Sequence, residues 1–237
     1  MFNYDSGLGN TSSCKSAISQ TDPKGKLYYR GYDVEELAEK STFVEVCFIL
    51  LYGRQCHEDE LKEFEERIMD EMHIKTQMNE FYKGFKADAD PMSILCSVVA
   101  GLSSFLHQHL DIKESAQREL TAIKLIARMP VLAANAFRVS MGLPTVQCKR
   151  KLGYMENFLN MMFQDPMQSN FQVPKLMVQM MEKLFILHAD CEQGPSTTAV
   201  RVAGSSLANP FAAISSGVGS LWGVQHGGTT KHCIAMF

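Results

Sequence analysis

The sequence has little excess charge of either sign, and its charges are spread along the chain. Its 237 residues hold 23 Lys and Arg against 26 Asp and Glu, which gives a formal net charge of −3 at pH 7. A short basic run, Lys149-Arg150-Lys151, is typical of a solvated turn. A surface that binds nucleic acid needs clustered Lys and Arg. The composition therefore argues against a nucleic-acid partner.

The cysteines form no metal-binding or disulfide pattern. There are seven, an odd number, and none belongs to a Cys-x-x-Cys pair, so neither a disulfide framework nor a zinc site is predicted. His107 and His109 are two residues apart and would face different sides of a helix, so no metal is expected there. The first residues lack the basic and apolar regions of a secretory signal. We therefore expect a reducing compartment, the cytoplasm.

Two long runs lack Asp, Glu, Lys and Arg, namely residues 91–110 and 202–230. The first has nearly the length of a membrane-spanning helix, but it contains several serine, histidine and glutamine residues. The second is interrupted by Asn209-Pro210 and by several glycines. Both runs therefore predict interior helices of a helical protein, and no membrane partner is expected.

Hydrophobic periodicity predicts helices along most of the chain. Ser41 or Thr42 is expected to cap a helix that Gly53 ends, and Asp90-Pro91 is a strong start signal for another. Further helices are expected over residues 34–39, 58–86 (as two helices), 92–107, 115–128, 130–141, 152–163 and 173–188.

The predicted fold class is all-α, because nearly every periodic segment is helical. Residues 1–30 are rich in turn-forming Gly, Asn, Asp and Pro, and they are expected to form an N-terminal segment of loops and a short strand pair. Residues 31–237 are expected to form one helical domain.

Three motifs near the C-terminal end are candidates for chemistry. They are L-H-A-D-C-E-Q at 187–193, V-A-G-S-S-L-A-N-P-F at 202–211 and S-L-W-G-V-Q-H-G-G at 220–228. His226 precedes two glycines, so its imidazole would lie where the backbone can bend sharply toward a ligand. A histidine on an apolar helix is more often a hydrogen-bonded core residue, and a lone His-Gly-Gly would favour that alternative.

In this order and spacing the three motifs resemble the signature of the citrate synthase family in its bacterial form. That family's large domain has a His-Ala-Asp-x-Glu-Gln helix end, an Ala-Gly-Ser-Ser-x-Ala-Asn-Pro-Phe run and a Ser-Leu-Trp-Gly-x-x-His-Gly-Gly turn. Tyr29-Arg30-Gly31-Tyr32 and residues 154–163 are also similar to family segments. The resemblance implies a multi-helical large domain. It also implies that a full family member continues well past residue 237 into a small domain, so we expect a large-domain fragment.

The resemblance also implies a reaction, the condensation of acetyl-CoA with oxaloacetate and water to citrate and CoA in the tricarboxylic acid cycle. His226 would be catalytic and donate a hydrogen bond to the thioester oxygen, while His188 would bind oxaloacetate. No permanently bound cofactor and no metal is implied, and acetyl-CoA is a co-substrate. The family's catalytic Asp and second catalytic His belong to its later part, so the fragment alone is expected to be inactive.

Some positions depart from the family pattern, and two other functions stay open. Cys191 stands where bacterial members usually have a second His, Gly194-Pro195 replaces a more usual Asn-Ala pair, and residues 229–232 differ as well. One alternative is a 2-methylcitrate synthase, which shares the fold and motifs but accepts propionyl-CoA. Another is a non-catalytic helical module that only dimerises. The family also implies a homo-oligomer, either a dimer or a hexamer built of dimers.

Overall fold

A small antiparallel sheet begins the part of the chain that the computed structural model describes, residues 14–106, 111–165, 167 and 171–228. Its three strands are hydrogen-bonded in the order β1-β2-β3, with bounds β1 Ser19–Thr21, β2 Leu27–Tyr29 and β3 Tyr32–Asp33. Tyr29 is the central residue, because it lies opposite Ser19 on one side and Tyr32 on the other.

Ten helices follow within the described residues. They are α1 Val34–Lys40, α2 Phe43–Tyr52, α3 Glu58–Glu71, α4 Thr76–Tyr82, α5 Pro91–Phe105, α6 Ser115–Ser140, α7 Tyr154–Phe163, α8 Lys175–Leu187, α9 Pro195–Ser205 and α10 Pro210–Leu221. The predicted all-α fold with a short β segment near the N-terminus is confirmed. The division of the chain between residues 30 and 31 stays a prediction. His107 and His109 lie outside the described residues.

The local signals for helix ends act as predicted at α2 and α5. Thr42 and Glu45 form a capping box in which each side chain accepts a hydrogen bond from the other residue's backbone N–H, at 3.2 Å and 2.6 Å. Gly53 ends α2 with a φ of 77°, a conformation that glycine adopts without strain. Asp90 caps α5 through its side chain, and Pro91 occupies the first helical position.

The predicted break at Pro130 is wrong, because α6 runs through it from Ser115 to Ser140. A proline inside a helix removes the hydrogen bond to the carbonyl four residues earlier, which here belongs to Ile126. The Tyr154 hydroxyl on α7 donates to that same carbonyl at 2.8 Å. The neighbouring helix thus supplies the donor that proline lacks, and α6 continues without leaving a buried carbonyl unpaired.

Two clusters of buried side chains form the core of the described chain. The larger one surrounds α6, which packs against α3, α5 and α7. The smaller one contains Tyr29 with side chains of α1, α2 and α8, and it joins the sheet to the end of α8. Helix α10 packs against both α5 and α9. This arrangement brings the three C-terminal motifs onto consecutive helix ends.

Among the described residues one helix, Ser115–Ser140, is long and apolar enough to cross a membrane. Half of its most apolar window is buried inside the protein. That burial is typical of a core helix, which passes the same test of length and composition. Within the described residues, the two uncharged runs singled out in the sequence contain the shorter helices α5 and α10 and the last residues of α9.

Candidate active site

Each of the three C-terminal motifs spans a connection that follows a helix. The first covers the end of α8 and the turn before α9, the second the turn between α9 and α10, and the third the turn after α10. From residue 202 to residue 228 the chain contains no Asp, Glu, Lys or Arg. The polar groups of this stretch are therefore neutral ones: backbone groups, hydroxyls, the amides of Asn209 and Gln225, the Trp222 indole N–H and the imidazole of His226.

His226 is half-buried and held by a serine of α9. Its Nε2 lies 2.8 Å from Ser196 Oγ, within hydrogen-bond distance. A Cβ built on Gly194 would lie 4.0 Å from the His226 Cε1, so the ring also packs against the start of α9. The other ring nitrogen, Nδ1, has no hydrogen-bond partner among the described residues. The arrangement fixes one nitrogen and leaves the other available to a ligand.

The glycine after His226 is required by a close backbone approach. A Cβ at Gly227 would lie 2.3 Å from the Leu221 carbonyl oxygen, closer than real Cβ atoms come to any heavy atom. The turn therefore folds back onto the end of α10 only because residue 227 has no side chain. This agrees with the sharp bend that the His-Gly-Gly sequence predicts.

Gly194 and Pro195 set the start of α9 and so the position of Ser196. Gly194 is the N-cap residue in an extended conformation, and Pro195 is the first helical residue, where a missing N–H costs nothing. Ser196 then falls in the first turn of the helix. The departure from the family's Asn-Ala pair is therefore compatible with a regular helix start.

The second motif forms the turn that connects α9 to α10 and lets α10 pack against α9. Asn209 caps α10 by accepting the Phe211 N–H at 3.0 Å, and Pro210 is the first helical residue. Leu207 has a φ of 58°, in the left-handed region that non-glycine residues seldom adopt. Gly217 of α10 lies so close to α9 that a Cβ there would be 3.3 Å from the Ser196 carbonyl oxygen.

His188 lies at the C-terminal end of α8 with its side chain exposed. Its Nδ1 lies 2.8 Å from the Leu184 carbonyl oxygen. A carbonyl oxygen only accepts, so Nδ1 carries the proton and Nε2 is presented to solvent. The two site histidines are not hydrogen-bonded to each other in the described structure. Residues 189–193 form the turn that leads from His188 to Gly194, and the His226 ring packs against Gly194.

Ser196 is the site residue that sequence analysis missed. The Gly-Pro pair indicates that residue 196 lies in the first turn of a helix. Which side of that helix faces His226 depends on the packing of α10 against α9, and the sequence contains no local signal for it.

A cavity elsewhere in the described chain does not include these histidines. Its volume is about 570 Å³, and it lies between α3 and the start of α7, lined by Lys62, Glu65, Arg150 and Tyr154 among others. Neither His188 nor His226 contributes to it. No group of three or more His, Cys, Asp or Glu side chains that could hold a metal ion occurs in the described part of the chain.

Comparison with known proteins decides the family. A family model described as "Citrate synthase, C-terminal domain" matches residues 7–237. The chain belongs to the citrate synthase family. The resemblance seen in the three motifs is thereby confirmed over almost the whole sequence.

Solved citrate synthases have the same fold. The enzyme from Pyrobaculum aerophilum is 31% identical with a TM-score of 0.86, over 95% of this chain and 57% of that chain. The enzyme from Thermotoga maritima MSB8 is 29% identical with a TM-score of 0.80, over 97% and 59%. The enzyme from the archaeon Thermoplasma acidophilum, solved with carboxymethyl coenzyme A and oxaloacetate, is 26% identical with a TM-score of 0.88, over 97% and 58%. The chain thus spans less than three-fifths of the length of these relatives.

Proposed function

We propose that this chain carries part of the active site of an enzyme that condenses acetyl-CoA with oxaloacetate and water to citrate and CoA, in the tricarboxylic acid cycle. Family membership supports an acyltransferase, and a related enzyme has been solved with a coenzyme A analogue and oxaloacetate. In this proposal acetyl-CoA and oxaloacetate are substrates, and no cofactor is permanently bound.

The observation that carries the proposal is the hydrogen bond between His226 and Ser196. Removing a proton beside a thioester carbonyl places negative charge on the carbonyl oxygen, and a preorganised donor stabilises that charge. With Nε2 held at 2.8 Å from Ser196 Oγ, Nδ1 of His226 is the nitrogen that can face the thioester oxygen. Losing one such donor typically costs about 2.7–4 kcal/mol in the transition state.

We assign His188 to oxaloacetate, because its exposed Nε2, when protonated, can donate to a carboxylate or carbonyl oxygen of the substrate. Histidine titration by NMR tests this assignment. Oxaloacetate is expected to shift the ring signals of His188 and to leave unchanged those of His57 and His73, which are exposed just before and just after α3. Carboxymethyl coenzyme A is expected to shift His226. Equal shifts at all four histidines, or none, would refute the proposal.

The 237-residue chain by itself is expected to show no turnover. His188 and His226 supply a substrate contact and a hydrogen-bond donor, and no Asp or Glu is matched to the family's base. The measurement is release of CoA thiol from acetyl-CoA plus oxaloacetate, with propionyl-CoA in parallel to test a 2-methylcitrate synthase. Thiol release that His226→Ala abolishes would contradict the expected inactivity.

We further propose a homo-oligomer in which α5 and α10 lie at a two-fold interface, as a dimer or a hexamer built of dimers. The exposed residues of α10 carry no charge: they are the small residues Ala212, Ser216 and Gly219, and the apolar Leu221 at its end. Small side chains allow two helices to approach closely, and the same surface favours the alternative of a purely dimerising module. Sedimentation at micromolar concentration tests both, and a monodisperse monomer would refute them.

We propose the cytoplasm as the location. The six cysteines of the described chain are all free thiols, which is compatible with a reducing compartment. Fractionation of cells that express the tagged protein is the test, and recovery in an oxidising compartment would refute it.

A further inference from the structure

The hydroxyl of Tyr29 lies between the two chain segments that flank His188. Tyr29 is fully buried in the sheet, and its Oη donates to the Ile186 carbonyl at 2.9 Å. The same oxygen accepts the Asp190 N–H at 3.2 Å. One side chain from the N-terminal sheet thus bonds the residue two positions before His188 and the residue two positions after it.

Burial makes this pair of bonds persistent. The Tyr29 ring packs among Leu37, Ile49 and Ile186 in the smaller core cluster. Loss of solvent raises the pKa of Tyr29 above its usual value, so the hydroxyl stays protonated and keeps donating. If the hydroxyl were absent, the half-buried Asp190 N–H would lose its partner, and the Ile186 carbonyl would keep the Ala189 N–H, which lies 3.3 Å away.

The bonds act on the last turn of α8, where the orientation of His188 is decided. The Leu184 carbonyl accepts both the backbone N–H of His188, at 3.1 Å, and its Nδ1–H, at 2.8 Å. Both bonds exist only while the last turn remains helical up to residue 188. The bond from Tyr29 to the Ile186 carbonyl holds that turn just before His188. The bond from the Asp190 N–H to Tyr29 holds the chain just after His188, where it reverses direction.

The same strand region makes a second connection to the turn. The Ser19 hydroxyl accepts the Glu192 N–H at 3.0 Å, and the Glu192 carboxylate accepts the Thr21 N–H at 3.1 Å. Glu192 itself has a φ of 55°, an unusual conformation for a residue with a side chain. The sheet therefore holds the turn after His188 at two points along its length.

We propose that Tyr29 is a positioning residue for substrate, which keeps the Nδ1–H of His188 on the Leu184 carbonyl so that the ring, as an imidazolium, directs its Nε2–H at the dicarboxylate. This inference rests on the proposed role of His188 in binding oxaloacetate. Tyr29 does not touch the substrate itself. It acts through the backbone on either side of the histidine, so its removal changes the imidazole without removing any ligand contact.

The test compares Tyr29→Phe with Tyr82→Phe in the full chain. Tyr82 is the matched control, because it is 1% exposed and its hydroxyl donates to a single carbonyl, that of Leu132, at 3.0 Å. Tyr29→Phe keeps the ring in the core and removes only the hydroxyl. The readouts are the ¹⁵N signals of the His188 ring, which distinguish its tautomers, hydrogen exchange at the Asp190 amide, and affinity for oxaloacetate.

Tyr29→Phe is expected to shift His188 toward the Nε2–H tautomer and to accelerate Asp190 amide exchange. Its dissociation constant for oxaloacetate should rise about tenfold, because the hydrogen bond from Nε2–H to the substrate is weakened when the ring is no longer held in one orientation. Tyr82→Phe should leave all three readouts unchanged even where it lowers stability.

The outcomes separate this inference from the proposed function. If oxaloacetate shifts His188 in the parent but Tyr29→Phe behaves as Tyr82→Phe does, the inference alone is overturned. If oxaloacetate shifts no histidine selectively, the proposed function fails and the inference fails with it. An Nε2–H tautomer of His188 in the parent protein overturns the inference without any variant, so the test survives a Tyr29→Phe chain that does not fold.

Discussion

The packing of α10 on α9 can be tested with a single methyl group at Gly217. A Cβ at this position would lie 2.6 Å from Val200 Cγ2 and 3.3 Å from the Ser196 carbonyl oxygen, both on α9. A helical valine has one strongly preferred rotamer, so its methyl cannot easily turn away. Gly217→Ala must therefore push α9 and α10 apart next to Ser196, whose hydroxyl is within hydrogen-bond distance of His226.

Two opposing effects set the size of the change. Replacing glycine by alanine inside a helix favours folding by about 0.8–1 kcal/mol, whereas overpacking a close-packed contact costs about 1–3 kcal/mol. A contact as short as 2.6 Å to a stiff side chain belongs at the upper end of that cost. We expect Gly217→Ala to lower the free energy of unfolding by roughly 1–2 kcal/mol.

Gly204 on α9 is the matched control, because a Cβ there meets nothing within 4 Å. Gly204→Ala is expected to raise the free energy of unfolding by about 0.5–1 kcal/mol through helix propensity alone. Urea unfolding measures both variants, and their melting temperatures should differ by several degrees, at about 2–4 °C per kcal/mol. Equal stability of the two variants would show that α9 and α10 are not packed as described.

Three further predictions follow from buried groups. Arg138 is 1% exposed and donates to backbone carbonyls, so Arg138→Met should lower the free energy of unfolding by about 1–3 kcal/mol for each carbonyl left unpaired. In the same urea titration the surface variant Arg150→Met should lower it by less than about 1 kcal/mol. Equal losses in the two variants would refute this prediction. Burial raises the pKa of Glu182, so its contribution to stability is full below about 4.3, the ordinary glutamate value, and is lost as pH rises through the raised value. Glu182→Gln should therefore unfold at higher urea than the parent at pH 7 but not at pH 4, and a pH-independent difference would contradict this. Burial also raises the pKa of Cys47 to about 12. A maleimide should therefore modify exposed Cys191 in the native chain and Cys47 only after unfolding, and mass spectrometry detects which cysteine has reacted.

The orientation of the two site histidines depends on hydrogen bonds from residues distant in the sequence. His188 and His226 are 38 positions apart in sequence, and each is oriented by a residue from elsewhere, His226 by Ser196 and His188 through Tyr29. A histidine can serve as a hydrogen-bond donor or as an acceptor only when its tautomer is fixed. The surrounding helices and sheet hold both rings through hydrogen bonds, and at His188 the acceptor is a carbonyl, which requires a proton on Nδ1.

The sequence by itself determined the fold class and most helix ends, because those depend on neighbouring residues. Thr42 with Glu45, Gly53 and Asp90-Pro91 act within one turn of their own position, so their consequences can be predicted from the chain. The three C-terminal motifs likewise identified the family, because their order and spacing are properties of the sequence.

The tertiary structure alone decided the features that depend on a partner far along the chain. Helix α6 continues through Pro130 because the hydroxyl of Tyr154, 28 positions from Ile126, donates to the Ile126 carbonyl in place of the missing N–H. Ser196 faces His226 because α10 packs on α9, and Tyr29 reaches the turn after His188 across 161 positions. A hydrogen bond between distant residues leaves no periodic or local pattern in either segment, so only the folded chain reveals which donor meets which acceptor.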